Sequence, residues 1–238
     1  MSGCPFASRR GFLAGGLVAG LAGVARAAPV APAEAAAKGI TAASQGPGRD
    51  EAVPFRGVRQ AGILTPLQSH TYFAAFDLVA TRQADVAGML ARWTVAAERM
   101  ARGEAAQAAE PDPAKPPTDS GEAFGLAPAR LSVTFGFGAG LFERDGHDRY
   151  GLAARRPEAL VDLPRFNGDQ LQEGRSGGDL SVQACADDPQ VAFHAVRQLA
   201  RMADGVAVLR WVQAGFSANF AANDTPRNLM GFKDGTQN

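Results

Sequence analysis

Residues 179–216, DLSVQACADDPQVAFHAVRQLARMADGVAVLRWVQAGF, decide the fold, because three patterns follow one another within them. Asp179–Ala186 reads as a strand. Asp187-Asp188-Pro189 then starts a helix, with an acid at the cap and a proline in the first turn. Val191, Ala195, Leu199 and Met202 fall on one side of that helix, and Val206–Phe216 closes as a second strand. Within the first strand Cys185 is expected to be a buried small hydrophobe. Upstream, Leu131–Phe137 alternates as a strand, and Gln83–Arg102 carries Val86, Leu90, Trp93 and Ala97 at helical spacing. Val58–Leu64 and Thr71–Val79, rich in β-branched and aromatic residues, read as one strand broken at Thr65-Pro66. The order β, α, β, β, α, β predicts an α+β, ferredoxin-like unit, with two helices on one face of a four-stranded antiparallel sheet.

Around this unit the chain changes character. Residues 104–120, with Pro111, Pro113, Pro116 and Pro117, read as a surface insertion. Residues 143–178 are polar and glycine-rich, and longer than an ordinary connection, which marks them as a candidate functional loop. Residues 28–54, rich in Ala, Pro, Gly and Ser, form a flexible leader, and folded structure is expected from Phe55. Before it, Arg9-Arg10-Gly11-Phe12-Leu13, a weakly apolar stretch from Ala14 to Val24 and the cleavage pattern Ala25-Arg26-Ala27 predict a twin-arginine signal peptide over 1–27. It is too short for a permanent membrane span, and it implies the Tat export machinery as a partner and the periplasm as the destination.

The 238 residues carry a formal charge of zero, and removal of Arg9, Arg10 and Arg26 leaves 21 basic against 24 acidic side chains. Without a basic patch the chain is not a nucleic-acid binder. Only Cys4 and Cys185 are present, so a chain processed after Ala27 cannot form an internal disulfide. Gly136-Phe137-Gly138-Ala139-Gly140 follows a strand but lacks the third glycine spacing and the long helix of a dinucleotide site. Asp187-Asp188 lacks a further ligand at metal spacing and reads as a helix cap.

The last eight residues, Gly231-Phe232-Lys233-Asp234-Gly235-Thr236-Gln237-Asn238, set one carboxylate between glycines that let the backbone turn tightly and approach a flat ligand. A lone G-x-x-D-G string also serves as a turn before a strand or cap. The wider run Arg227–Asn238, RNLMGFKDGTQN, resembles the G-x-x-D-G region of dye-decolourising (DyP-type) haem peroxidases, in the branch of exported deferrochelatase/peroxidases. Gln60–Ile63 with His70–Asp77 (HTYFAAFD), Leu131–Phe142 (LSVTFGFGAGLF) and Gly177–Arg197 (GGDLSVQACADDPQVAFHAVR) carry the same resemblance, in the family's order.

The resemblance implies two tandem ferredoxin-like units in an α+β barrel, with 55–222 as the first and 223–238 as the start of the second, haem-binding one. It implies haem b as cofactor, hydrogen peroxide with a small organic reductant or porphyrin as substrates, and a homodimer. Asp234 would be the distal acid/base, and Gly235, Thr236, Gln237 and Asn238 the haem contacts. The proximal histidine and a distal arginine would lie downstream of Asn238, so the metal-ligand set expected within this chain is empty. His70 and His194 read as hydrogen-bonded structural histidines and His147 as a solvated loop residue. Two other classes stay open: a non-enzymatic periplasmic haem or iron handler using the same pocket, and a haem-free association module.

Overall fold

The computed structural model describes residues 50–217, 225, 227–233 and 235. Ser44–Asn238 form one unit, and Met1–Ala43 form another that lies wholly outside the described residues, as does the expected signal over 1–27.

Four strands and two long helices follow the predicted order: β1 (His70–Leu78), α1 (Gln83–Ala101), β2 (Ser132–Phe137), a single turn α2 (Ala139–Phe142), β3 (Leu180–Ala186), α3 (Pro189–Met202) and β4 (Ala207–Phe216). The sheet order is β2-β3-β1-β4, with every pairing antiparallel. The fold is therefore the ferredoxin-like unit that the element order implies.

Local signals explain the helix ends. Asp188 caps α3 by accepting from the backbone N–H groups of Gln190 at 2.8 Å and Val191 at 3.4 Å, ahead of Pro189. Gly103 terminates α1 with φ +76°, a left-handed conformation that glycine adopts without a Cβ penalty. Both helices lie on one face of the sheet. From α1, Val86, Met89, Trp93, Ala97 and Met100 are buried, and from α3 Val191, Ala192, Ala195 and Leu199. They meet Ala74, Phe76, Leu78, Val133, Val182 and Ala184 from the strands. Trp93 is central: its ring packs on Phe76 and Phe135 at centroid distances of 5.3 and 5.6 Å, and its Nε1 donates to the Leu199 carbonyl at 2.9 Å. Leu90 and Met202, expected on the buried faces, are half-buried at the margin.

Two expectations are corrected. Val58–Leu64 is not a strand: it is a run of bends and a turn, with Val58, Ile63 and Leu64 exposed. Gly62 takes φ +95°, its N–H donates to Thr65 Oγ1, and Ile63 N–H donates to the Gln60 carbonyl, so the segment closes on itself and pairs with none of the four described strands. Cys185 is half-buried, with Sγ 3.4 Å from Thr71 Oγ1. The period of two places Leu180, Val182, Ala184 and Ala186 under the helices and turns Ser181, Gln183 and Cys185 to the opposite face.

Asp187, read together with Asp188 as a helix cap, does not cap α3. Buried, it takes the Arg130 guanidinium at 2.6 Å and the Ser69 N–H at 3.0 Å, while its own N–H donates to the Ala129 carbonyl. This fastens a corner in which Ala129 and Arg130 both have positive φ, at +50° and +52°. Such residues are strained, at about 1–2 kcal/mol each, and the ion pair offsets that cost.

Candidate functional site

The glycine-flanked acidic loop begins as a small hairpin. Arg227 and Lys233 form an antiparallel bridge, the Asn228 N–H donates to the Phe232 carbonyl at 2.9 Å, and Gly231 N–H returns to the Asn228 carbonyl at 2.9 Å. Asn228 Oδ1 accepts from the N–H groups of Met230 and Phe232, and Arg227 donates to the Gly231 carbonyl. Gly231, at φ +89°, makes this turn possible. Around the turn Leu229, Met230 and Phe232 are all exposed, an apolar tip with Arg227 and Lys233 at its base.

Asp234 follows Lys233 directly, and with Thr236, Gln237 and Asn238 it lies outside the described residues. Gly235 is described: it has φ +70°, and a Cβ there would meet nothing within 4 Å. The backbone at Gly235 is thus open to a flat neighbour, and its conformation disfavours any residue with a side chain.

A second surface is the sheet face opposite the helices. Trp211 stacks on Phe73 with centroids 5.5 Å apart and planes 19° from parallel, and Trp211 Nε1 donates to the Gly177 carbonyl. Beside them a cavity of about 280 Å³ is floored by Ala75, Gly136, Gly178 and Ser181. It falls below the roughly 300–1,000 Å³ of pockets that enclose a drug-sized ligand.

The glycine string that invited a nucleotide reading has a packing explanation. A Cβ on Gly138 would lie 2.5 Å from the Gly178 carbonyl oxygen, and one on Gly140 2.0 Å from Asp179 Oδ1. These glycines let β2 and α2 press against the start of β3. Asp179 is buried there and accepts from Leu78 N–H at 2.8 Å, from Arg149 at 3.4 Å and from Arg144. At the β1–β4 bulge Arg210 binds Asp77 at 2.9 Å and the carbonyls of Ser176 and Glu173. The long 143–178 segment is thereby clamped to the sheet, with Arg144, Arg149 and Arg210 engaged in its anchorage.

The histidines are distributed as follows. His70 Nδ1 lies 3.0 Å from Ser69 Oγ, and His147 is exposed in a turn bridged to Arg144. His194 is buried, with Nε2 2.8 Å from Asp119 Oδ1. The last contact eluded sequence reasoning, because 104–120 read as surface. Ala106 and Asp119 are in fact buried, joined by an Ala106 N–H bond to Asp119 Oδ2 at 2.9 Å. The available signal was Asp119-Ser120-Gly121, an acid ahead of a glycine turn directly after the prolines. Burial pushes the Asp119 carboxyl up, but the hydrogen bonds from His194, Gly121 and Ala106 outweigh it, and the net direction is down. For Asp187 the same competition between burial and its bonds to Arg130 and Ser69 also ends below the usual range.

Comparison with known proteins converges on one family. The family description "Dyp-type peroxidase, N-terminal" matches residues 60–217. A deferrochelatase of Escherichia coli strain K12 is 37% identical over 195 residues, covering 80% of this chain and 45% of the relative, and one of Shigella flexneri is 36% identical over 227 residues, covering 93% and 52%. Among solved structures, an oxyferrous complex of DtpA from Streptomyces lividans has 41% identity and a TM-score of 0.68, covering 80% of this chain and 49% of that one. A DyP-type peroxidase from Cellulomonas bogoriensis has 39% identity and a TM-score of 0.65, covering 82% and 51%. The chain spans about half the length of the relatives it matches.

Proposed function

Because this chain belongs to the DyP-type peroxidase family, matching its N-terminal domain, we propose that it is the distal-side portion of a haem-dependent peroxidase that oxidises organic substrates, dyes or porphyrinogens, with hydrogen peroxide. The single observation that carries the reading is the sequence position of Asp234, between Gly231 and Gly235 and directly after the Arg227–Lys233 hairpin with its apolar tip, in a chain of this family.

The described residues suit one side of a haem environment. Leu229, Met230 and Phe232 offer apolar contact, and Gly235 leaves room for the ring to approach the backbone. With Thr236, Gln237 and Asn238 they would line the haem edge, while the iron ligand is proposed to come from the family's second unit. Haem b, when bound, supplies the electrons that cleave the O–O bond of hydrogen peroxide and afterwards recovers them singly from the organic reductant. Asp234, as a carboxylate, takes a proton from one oxygen of hydrogen peroxide and returns it to the other, which leaves as water. Asn238 orients the peroxide or a water. Because Asp234 must be ionised to take that proton, and an ordinary aspartate titrates near about 3.9, activity should fall as the pH drops towards that value.

In the same reading residues 1–27 direct twin-arginine export to the periplasm, 28–54 form the leader, 55–222 the first unit and 223–238 the start of the second. No helix among the described residues is long and apolar enough to cross a membrane. The sheet face bearing Phe73 and Trp211 would pack against the second unit, and the complete protein would be a homodimer.

The test is Asp234→Asn in the protein that carries this chain, with haem occupancy followed by the Soret band. Dye oxidation should fall by roughly 100-fold or more while occupancy persists. A full-rate variant would remove the assigned role. A second reading, removal of iron from haem without peroxide turnover, is favoured by the deferrochelatases among the relatives. Release of iron-free porphyrin, with no peroxide-dependent dye oxidation, would select it.

A further inference from the structure

We propose that Asp119, Glu122 and His194 form a binding site for a divalent transition-metal ion of the zinc type, which staples the connection between α1 and β2 onto α3. One potential ligand atom from each residue lies within 4.8 Å of the others. His194 Nε2 is 2.8 Å from Asp119 Oδ1 and 3.9 Å from Glu122 Oε2. Two ligands of a tetrahedral ion at bond lengths of about 2.0–2.1 Å stand about 3.3 Å apart. The two distances from His194 bracket that value, and solvent would be the fourth ligand on the half-exposed Glu122 side.

The surroundings hold these groups in place. Asp119 Oδ1 accepts from Gly121 N–H at 2.8 Å and Oδ2 from Ala106 N–H at 2.9 Å, which sets the carboxylate plane. Glu122 Oε1 is held by Arg197 at 2.7 Å, and Oε2 takes the Ser120 hydroxyl at 2.6 Å, with Gln198 Nε2 3.4 Å away.

Charge supplies the reason for a cation. Asp119 and His194 have side chains only 3% and 5% exposed, and no lysine or arginine among the described residues pairs with Asp119. Its partners are His194 and the N–H groups of Gly121 and Ala106, and a buried carboxylate is well matched by a paired cation or a metal. A divalent ion ligated by His194 Nε2 would add a second link between the α1–β2 connection and α3, beside the Arg197–Glu122 ion pair. Imidazole with carboxylates is a donor set suited to zinc and its neighbours.

The experiment is equilibrium dialysis of the purified chain against Zn²⁺ with metal analysis, together with thermal melts in Zn²⁺ and in chelator. The wild type should take up one Zn²⁺ per chain saturably and melt higher in Zn²⁺. Glu122→Gln, at a half-exposed position where the hydrogen bonds can persist, should weaken binding about tenfold or more. His194→Gln should abolish it. Absence of saturable uptake overturns the proposal, as does uptake that both variants leave unchanged, which would place the ion elsewhere.

Discussion

Ala184 and Cys185 are neighbours in β3 and live in different surroundings: Ala184 is fully buried beneath α3, while Cys185 is half-buried on the face that carries Phe73 and Trp211. The same contrast holds for the two tryptophans. Trp93 is entirely enclosed between the helices and the sheet, whereas Trp211 stacks on a single ring at the other face and remains partly exposed. The alternation along β3 thus serves two purposes. One face closes the unit's own core, and the other displays aromatic and small residues over which no described helix lies. The core belongs to stability, and the open face is available for association.

The largest expected break in this contrast is Trp93→Ala, which removes the ring shared by Phe76 and Phe135 and should cost about 4 kcal/mol. Trp211→Ala, with its ring stacked on one neighbour, should cost about 1 kcal/mol. Urea unfolding of both variants measures the difference. Equal losses would mean that the open face contributes to stability as the core does.

Asp187→Asn should follow, at about 3 kcal/mol, because it leaves the largely buried Arg130 unpaired at a strained corner. Since Asp187 is held below the usual carboxylate range, the folded state binds this proton more weakly than the unfolded state. The stabilisation is therefore complete above the unfolded value of about 3.9 and is lost as pH falls through the lower folded value. The offset in urea midpoint between the variant and the wild type should narrow as the pH is lowered below about 3.9. A constant offset would assign the loss to packing instead of charge.

The finest comparison is Ala184→Ser against Cys185→Ser. A hydroxyl at the enclosed position should cost about 1–3 kcal/mol, whereas at Cys185, beside Thr71 Oγ1 and Gln183, the change should stay within about 0.5 kcal/mol. Thermal melts suffice to separate them.

Much of this architecture could be read in the chain directly. Helical spacing at Val86, Trp93 and Ala97, the Asp188-Pro189 start and the strand patterns are local signals, acting over one or two turns, so they survive translation into structure. The same local logic made Asp234 and its glycines stand out, and family membership supplies their proposed chemistry. Long-range relations were not legible. Val58–Leu64 has strand-like residues but closes on itself through the turn at Gly62 and Thr65. The face on which Cys185 lies depends on where the helices pack, and the burial of Asp119 depends on α3, which brings His194 to it from 75 positions away in the chain. Composition and periodicity act within a segment, whereas burial, charge compensation and strand pairing arise only when distant segments share space. For this reason the element order and the acidic loop follow from the residues alone, while the two unlike sheet faces and the Asp119–Glu122–His194 cluster follow from the packing.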